Sequence, residues 1–154
     1  MLIYRPIPTE IAHAYQTGAP DDYGNAAEHM VSGGGDPCRH CLQYIPKGND
    51  MLALAHRPFP APQAYAETGP VFLCAVPCEA PKDPKTRPEV LSQTGNLILR
   101  GYGADNRIVY GTGVVVPCKE IEAHAKTILA DASIAYVHVR SSTNNCFRLR
   151  IERA

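Results

Sequence analysis

The chain has no excess charge of either sign: 15 Lys and Arg stand against 15 Asp and Glu. That balance excludes capture of nucleic acid or an anionic membrane by bulk charge, so any partner must be recognised locally. No apolar run approaches the roughly 18 residues that a membrane-spanning helix needs. The opening stretch, Met1-Leu2-Ile3-Tyr4-Arg5-Pro6, lacks the basic region and long apolar core of a secretory leader. These absences lead to the expectation of a cytoplasmic protein whose thiols stay reduced. Familiar catalytic signatures are missing as well. Gly33-Gly34-Gly35 has no lysine and Ser/Thr to complete a phosphate loop, and there is no H-E-x-x-H, G-x-S-x-G or dinucleotide fingerprint. Repeats, coiled-coil heptads and low-complexity tracts are absent too.

What remains suits one domain over residues 1–154, long enough to bury a core without cross-links. Pro8, Thr9 and Glu10 open a helix over 9–16, and Gly18 closes it. Residues 17–37 read as a long loop. A strand is expected over 51–56, an extended crossing over 57–70 and a second apolar strand over 71–74, with Pro77, Pro81, Pro84 and Pro88 making the next stretch irregular. Residues 97–102 and 107–116 read as a hairpin around Gly103-Ala104-Asp105-Asn106. A helix over 118–130 follows, with Ile121, Ala125, Ile128 and Leu129 on one stripe. Two strands, 134–140 and 146–152, complete an α+β fold: a mostly antiparallel sheet of five or six strands, two helices and long proline-rich loops.

The last two strands invite a register argument. Ala135, Val137 and Val139 alternate with Tyr136, His138 and Arg140, while Phe147, Leu149 and Ile151 alternate with Cys146, Arg148 and Arg150. Directly opposed side chains share a face, so an odd loop, Ser141 to Asn145, keeps the apolar sets together. That register pairs Val139 with Phe147 and His138 with Arg148. Its second face collects a thiol, an imidazole and guanidinium groups; the plain alternative is a solvated basic face.

Six cysteines in a reducing compartment point to metal binding, catalysis or packing before disulfides. Cys38-Arg39-His40-Cys41 and Cys74-x3-Cys78 supply two close pairs, the pattern of a four-thiolate zinc site, and Gly48 turns the first pair into an apolar strand as in zinc ribbons. Buried or loop thiols are the competing account. The same Cys-x-x-Cys also has the spacing of disulfide oxidoreductases, in which a central histidine favours thiolate. Those motifs open a helix, whereas glycines and Pro37 precede this one. Cys118 reads as a helix-start filler, His124 as an exposed helix residue and His56 as a satisfied strand-end histidine; His13 and His29 carry no pattern.

Pro37-Cys38-Arg39, the Gly48 turn, Tyr65 before Gly69-Pro70-Val71-Phe72, Arg100-Gly101-Tyr102, Tyr136-Val137-His138-Val139 and Cys146 leading to Arg150 and Arg153 follow in order. Together they resemble the bacterial family known as domain of unknown function 1203, nearly end to end. The resemblance brings no established activity. It implies general features at Cys38, Arg39, Arg100, Tyr102, His138, Cys146 and Arg150, with Cys41, Cys74 and Cys78 as additions found in part of the family.

These observations lead to a zinc-stabilised domain with a basic, thiol-bearing pocket for an anionic small molecule or a partner's acidic group. Arg39, Arg100, Arg140 and Arg150, with Tyr102 beside them, are its expected ligand-binding residues, because guanidinium groups pair carboxylate and phosphate bidentately. Cys38, Arg39, Arg100, His138 and Cys146 are expected to line that one pocket. The rival is a thiol enzyme with Cys38 or Cys146 as nucleophile and His138 as base; a Cys38 committed to metal would leave the role to Cys146. A third reading is an interaction module with no small ligand.

Overall fold

The computed structural model describes residues 1–154. It is an α+β fold whose strands pair antiparallel in every named sheet. The chain runs β1 (Leu2–Arg5), α1 (Thr9–Gln16), β2 (Glu28–Val31), β3 (Asp36–Pro37), β4 (Tyr44–Ile45), β5 (Asp50–His56), β6 (Gly69–Cys74), β7 (Asn96–Tyr102), β8 (Val114–Pro117), α2 (Ile121–Leu129), β9 (Tyr136–Ser141) and β10 (Phe147–Arg153). Instead of one sheet of five or six strands there are three: a five-stranded sheet in the order β1-β10-β9-β7-β8, a three-stranded sheet β2-β5-β6 and the small hairpin β3-β4. No helix is long and apolar enough to cross a membrane.

α1 forms where its punctuation predicts, and α2 within the span its apolar stripe marks. Gly18 sits in the left-handed region at φ 102° just past α1. There the Gly18 and Ala19 amides donate to the carbonyls of Tyr15 (3.2 Å) and Ala14 (2.9 Å), the two bonds that cap orphan helix carbonyls. Ile121, Ala125 and Leu129 of α2, each four residues from the next, are buried against the large sheet in a core shared with Leu97, Leu99, Val137, Val139, Leu149 and Ile151. On the other side, Ala12 and Tyr15 of α1 join Leu52, Leu54, Val71, Leu73 and Phe147 in a second core beside the three-stranded sheet. The large sheet is therefore covered on both faces, and every residue of β9 from Tyr136 to Arg140 is buried.

Four strands, β1 to β4, lie where the sequence gives a loop or no element. β2 falls inside the expected 17–37 loop; all four of its residues are exposed, so it has no apolar alternation to betray it. The expected strand over 107–116 survives only as β8, because Thr112 folds inward and its hydroxyl accepts from the Gly101 amide at 2.9 Å.

The β9–β10 register also departs from expectation. Val139 pairs with Leu149, His138 with Arg150 and Val137 with Ile151, but Phe147 pairs with Arg140, with a bulge at Arg148 between. The loop is closed by the Ser141 amide donating to the Cys146 carbonyl at 3.0 Å, which leaves an even number of residues, 142–145, between them. An even loop alone would put the apolar set on the wrong face; one bulged residue restores the parity. Leu149 and Ile151 thus reach the α2 core as expected. Phe147 does not: it lies on the opposite face, beside His138. Arg148 is buried, its Nη1 donating to the Val90 carbonyl at 2.9 Å.

Candidate metal centre

The β3–β4 hairpin is built for its tip. Below the Pro37–Tyr44 pair, the Cys38 amide donates to the Gln43 carbonyl at 3.0 Å and the Leu42 amide to the Cys38 carbonyl at 3.2 Å. Leu42 takes a left-handed φ of 58°, which turns Cys38 and Cys41 toward the same side of the knuckle. The Arg39 amide donates to the Phe72 carbonyl at 3.0 Å and so docks the knuckle onto β6. β6 ends at Cys74, and the chain returns at Cys78.

All four sulfurs lie within 4.8 Å of one another. Cys38 and Cys78 are 3.8 Å apart and Cys41 and Cys74 3.9 Å, far longer than the roughly 2.05 Å of a disulfide. Cys38 is fully buried and the others half-buried. Four close cysteines of this kind can hold a metal ion. Left to protons alone, they divide: hydrogen bonds from Cys41 and Cys74 pull Cys38 down to about 6, and Cys38, Cys41 and Cys74 hold Cys78 below the thiol range. Cys41 and Cys74 are pushed up, first by their bonds to Cys38. Four adjacent thiols do not all ionise without a cation to offset the repulsion.

The surroundings favour thiolate sulfur. The Cys74 amide donates to Cys38 Sγ at 3.4 Å, and Gln16 Nε2 donates to Cys78 Sγ at 3.6 Å and to the Cys74 carbonyl at 2.8 Å. His40 is fully buried with Nδ1 at 3.3 Å from Cys78 Sγ, while its Nε2 lies 2.9 Å from the Thr9 hydroxyl. An Nδ1–H donor to sulfur with Nε2 accepting from Thr9 satisfies both contacts. His13 Nε2 meets the Cys78 carbonyl at 3.2 Å. Sequence reasoning passed over Gln16 and His13; for His40 the only signal was its place between the two cysteines.

The other expected site residues are spread around this centre. Arg39 is buried, its Nε donating to the Phe147 carbonyl (2.8 Å) and its Nη1 to the Pro37 carbonyl (2.6 Å). Burial and then Arg148 lower its pKa to about 10, so it stays charged near neutrality. Arg100 and Arg140 both grip Glu67, at 3.1 and 3.0 Å, and Arg100 also donates to the Tyr102 hydroxyl at 3.4 Å. Arg150 lies over the Tyr136 ring at 3.6 Å and pairs with Glu152 at 2.7 Å. His138 lines a cavity of about 670 Å³ and Cys146 a smaller one of about 330 Å³; the two share His56, Pro58 and Phe147. Cys38, Arg39 and Arg100 line neither of these two cavities. The Cys146 sulfur has the Asn144 carbonyl as its hydrogen-bond partner, at 3.6 Å.

Residues 35–153 match the model of the family described as "Protein of unknown function (DUF1203)". The chain belongs to this family. The matched span contains the whole sulfur cluster and Arg39, Arg100, Arg140, Arg148 and Arg150, and begins after α1, which supplies Gln16 and His13. No curated protein and no solved structure matches the chain.

Proposed function

We propose that Cys38, Cys41, Cys74 and Cys78 hold one zinc ion and that the ion is structural. The observation that carries this reading is the sulfur geometry: four Sγ atoms within 4.8 Å, with opposed pairs at 3.8 and 3.9 Å. A tetrahedron with zinc–sulfur bonds of about 2.3 Å has edges of about 3.8 Å. A closed set of four thiolates keeps no position for water or substrate, which suits a structural ion and not a catalytic one. Iron is the other metal that tetrahedral sulfur favours, and it would colour the protein.

Metal analysis of protein purified without chelator tests the reading. The expected result is about one equivalent of zinc and a colourless protein. Cys41→Ser is expected to lose the metal and melt earlier, because binding energy at such a site is folding energy. Metal-free, fully folded protein with four titratable thiols here would overturn it.

A second reading, that the domain binds an anionic small molecule or a partner's acidic group, is favoured by the way Arg100 and Arg140 converge on one carboxylate, Glu67. The thiol-enzyme reading gains no comparable support: Cys38 belongs to the sulfur cluster, and His138 and Cys146 line different cavities.

A further inference from the structure

His138 is a buried polar side chain that the fold leaves without a partner. It is 0% exposed, and neither Nδ1 nor Nε2 makes a hydrogen bond. The rings of Tyr102, Phe147, Tyr136 and Phe59 surround it at 4.7, 4.8, 5.0 and 5.1 Å. Phenylalanine would fill such a cage without stranding two polar atoms, and buried polar groups normally find partners. Burial, and then Arg140, Arg150 and Arg100, hold its pKa well below the usual histidine range. At neutral pH the ring therefore offers one donor and one acceptor.

His138 lines the larger cavity, whose roughly 670 Å³ is the size of small-molecule sites. Pro6, Ile7, Pro58, Phe59 and Phe147 give it apolar walls. Its more exposed lining is cationic. Arg5 and Arg150 share the one carboxylate, Glu152, at 3.1 and 2.7 Å. Arg57 lines the same cavity and is spent only on the Phe59 carbonyl, to which its Nε donates at 3.3 Å. Three guanidinium groups against one carboxylate leave the lining net positive beside its apolar walls, with the buried His138 also in the lining.

We propose that this cavity binds a small aromatic carboxylic acid carrying a hydroxyl group, with the carboxylate at Arg57 and Arg150, the ring between Phe59 and Phe147, and the hydroxyl at His138. The proposal rests on the anion-binding reading above and is independent of the zinc. It names the cavity, the ligand class and His138 as the group that selects the hydroxyl.

NMR titration with para-hydroxybenzoate, benzoate, phenol and inorganic phosphate tests it, up to about 10 mM, the range suited to a ligand of about ten non-hydrogen atoms. Para-hydroxybenzoate is expected to shift the His138 ring and Arg57 signals and to bind about tenfold tighter than benzoate, since a site built to hydrogen-bond a hydroxyl rejects the analogue without one, and tighter than phenol, which lacks the carboxylate. His138→Phe is expected to keep zinc and fold, and to bind the two acids equally. Arg57→Ala, in the half-buried cavity lining, is expected to weaken both acids and leave phenol unchanged. Equal binding of the two acids by the wild type, or a hydroxyl preference that survives in His138→Phe, would overturn the assignment to this cavity while anion binding stands. No response to either acid or to phosphate would overturn the anion-binding reading and this proposal with it.

Discussion

The ring of Phe147 meets the ring of His138 edge to face, with centroids 4.8 Å apart, on the face of β10 opposite to Leu149. The bulge at Arg148 makes this contact, and it turns a strand with one apolar face into a strand that serves two cores. Truncating Phe147 to alanine is expected to cost about 3 to 5 kcal/mol, the range for a buried aromatic. Methyl signals of Leu54 and Val71 should move with it, while those of Val137 and Ile151 stay in place. Shifts confined to the α2 core would contradict the bulged register.

The donors around the sulfurs give a separate expectation. His40→Phe and Gln16→Leu remove contacts to Cys78 Sγ at 3.3 and 3.6 Å without touching a sulfur. Each is expected to weaken zinc binding about 10- to 100-fold, the usual effect of losing an outer-shell partner. Competition with a chromophoric chelator measures it; unchanged affinity in both variants would reduce these contacts to packing.

Glu67 is the carboxylate shared by Arg100 and by Arg140, whose side chain is only 4% exposed. Glu67→Gln leaves that guanidinium without its anion. The expected loss is about 1 to 2 kcal/mol, below that of a fully buried pair because the Glu67 side chain is 41% exposed. Acetate should restore the melting temperature of the variant, with little effect on the wild type. Failure of any small anion to rescue it would mean that the clamp does not accept free ligands.

Acid should destabilise the fold through His56. Burial lowers its pKa from 6.5 to about 4, partly countered by Asp22. Between those values the unfolded chain holds the proton and the folded one does not, so the folded state is favoured above pH 6.5 and loses ground as the pH falls toward 4. The slope is about 1.4 kcal/mol per pH unit for one such group, roughly 3 kcal/mol across the window. Urea unfolding of wild type and His56→Gln at stepped pH isolates it, since protonation of the sulfurs is common to both. Parallel curves would show that His56 contributes nothing.

Features written in local chemistry were legible before the fold was known. The four cysteines come in close-spaced pairs, α1 carries its own start and stop signals, and α2 shows its apolar stripe. The family resemblance also pointed to Arg100-Gly101-Tyr102, and the fold explains its glycine: a Cβ on Gly101 would lie 3.0 Å from Thr112 Oγ1 and 3.1 Å from Ile128 Cγ2. Features set by long-range packing were not legible. The bulge at Arg148 defeats a parity argument that counts only loop residues. Glu67 meets its arginines 33 and 73 positions away, and nothing in its own neighbourhood announces the pairing. His138 read as one member of a basic face; its isolation among four rings depends on Phe59 arriving from the proline-rich crossing.

The place of β1 has a bearing on how the chain assembles during synthesis. Its sole sheet partner is β10, with Leu2 opposite Arg153 and Arg5 opposite Arg150. Residues 2–5 thus leave the ribosome well before residues 147–153 and must wait for nearly all of the residues between them before they can pair. Until then β1 has no neighbour, β9 lacks one of its two, and the apolar side chains of Leu2 and Tyr4 have no finished core to enter. Long-range pairing of this kind is slow and exposes aggregation-prone edges while it is incomplete. By contrast the segments that carry all four cysteines, residues 36–78, are synthesised in one continuous stretch. If these cysteines take up a metal ion, its capture can precede closure of the large sheet, giving the nascent chain a fixed body on which its later strands dock.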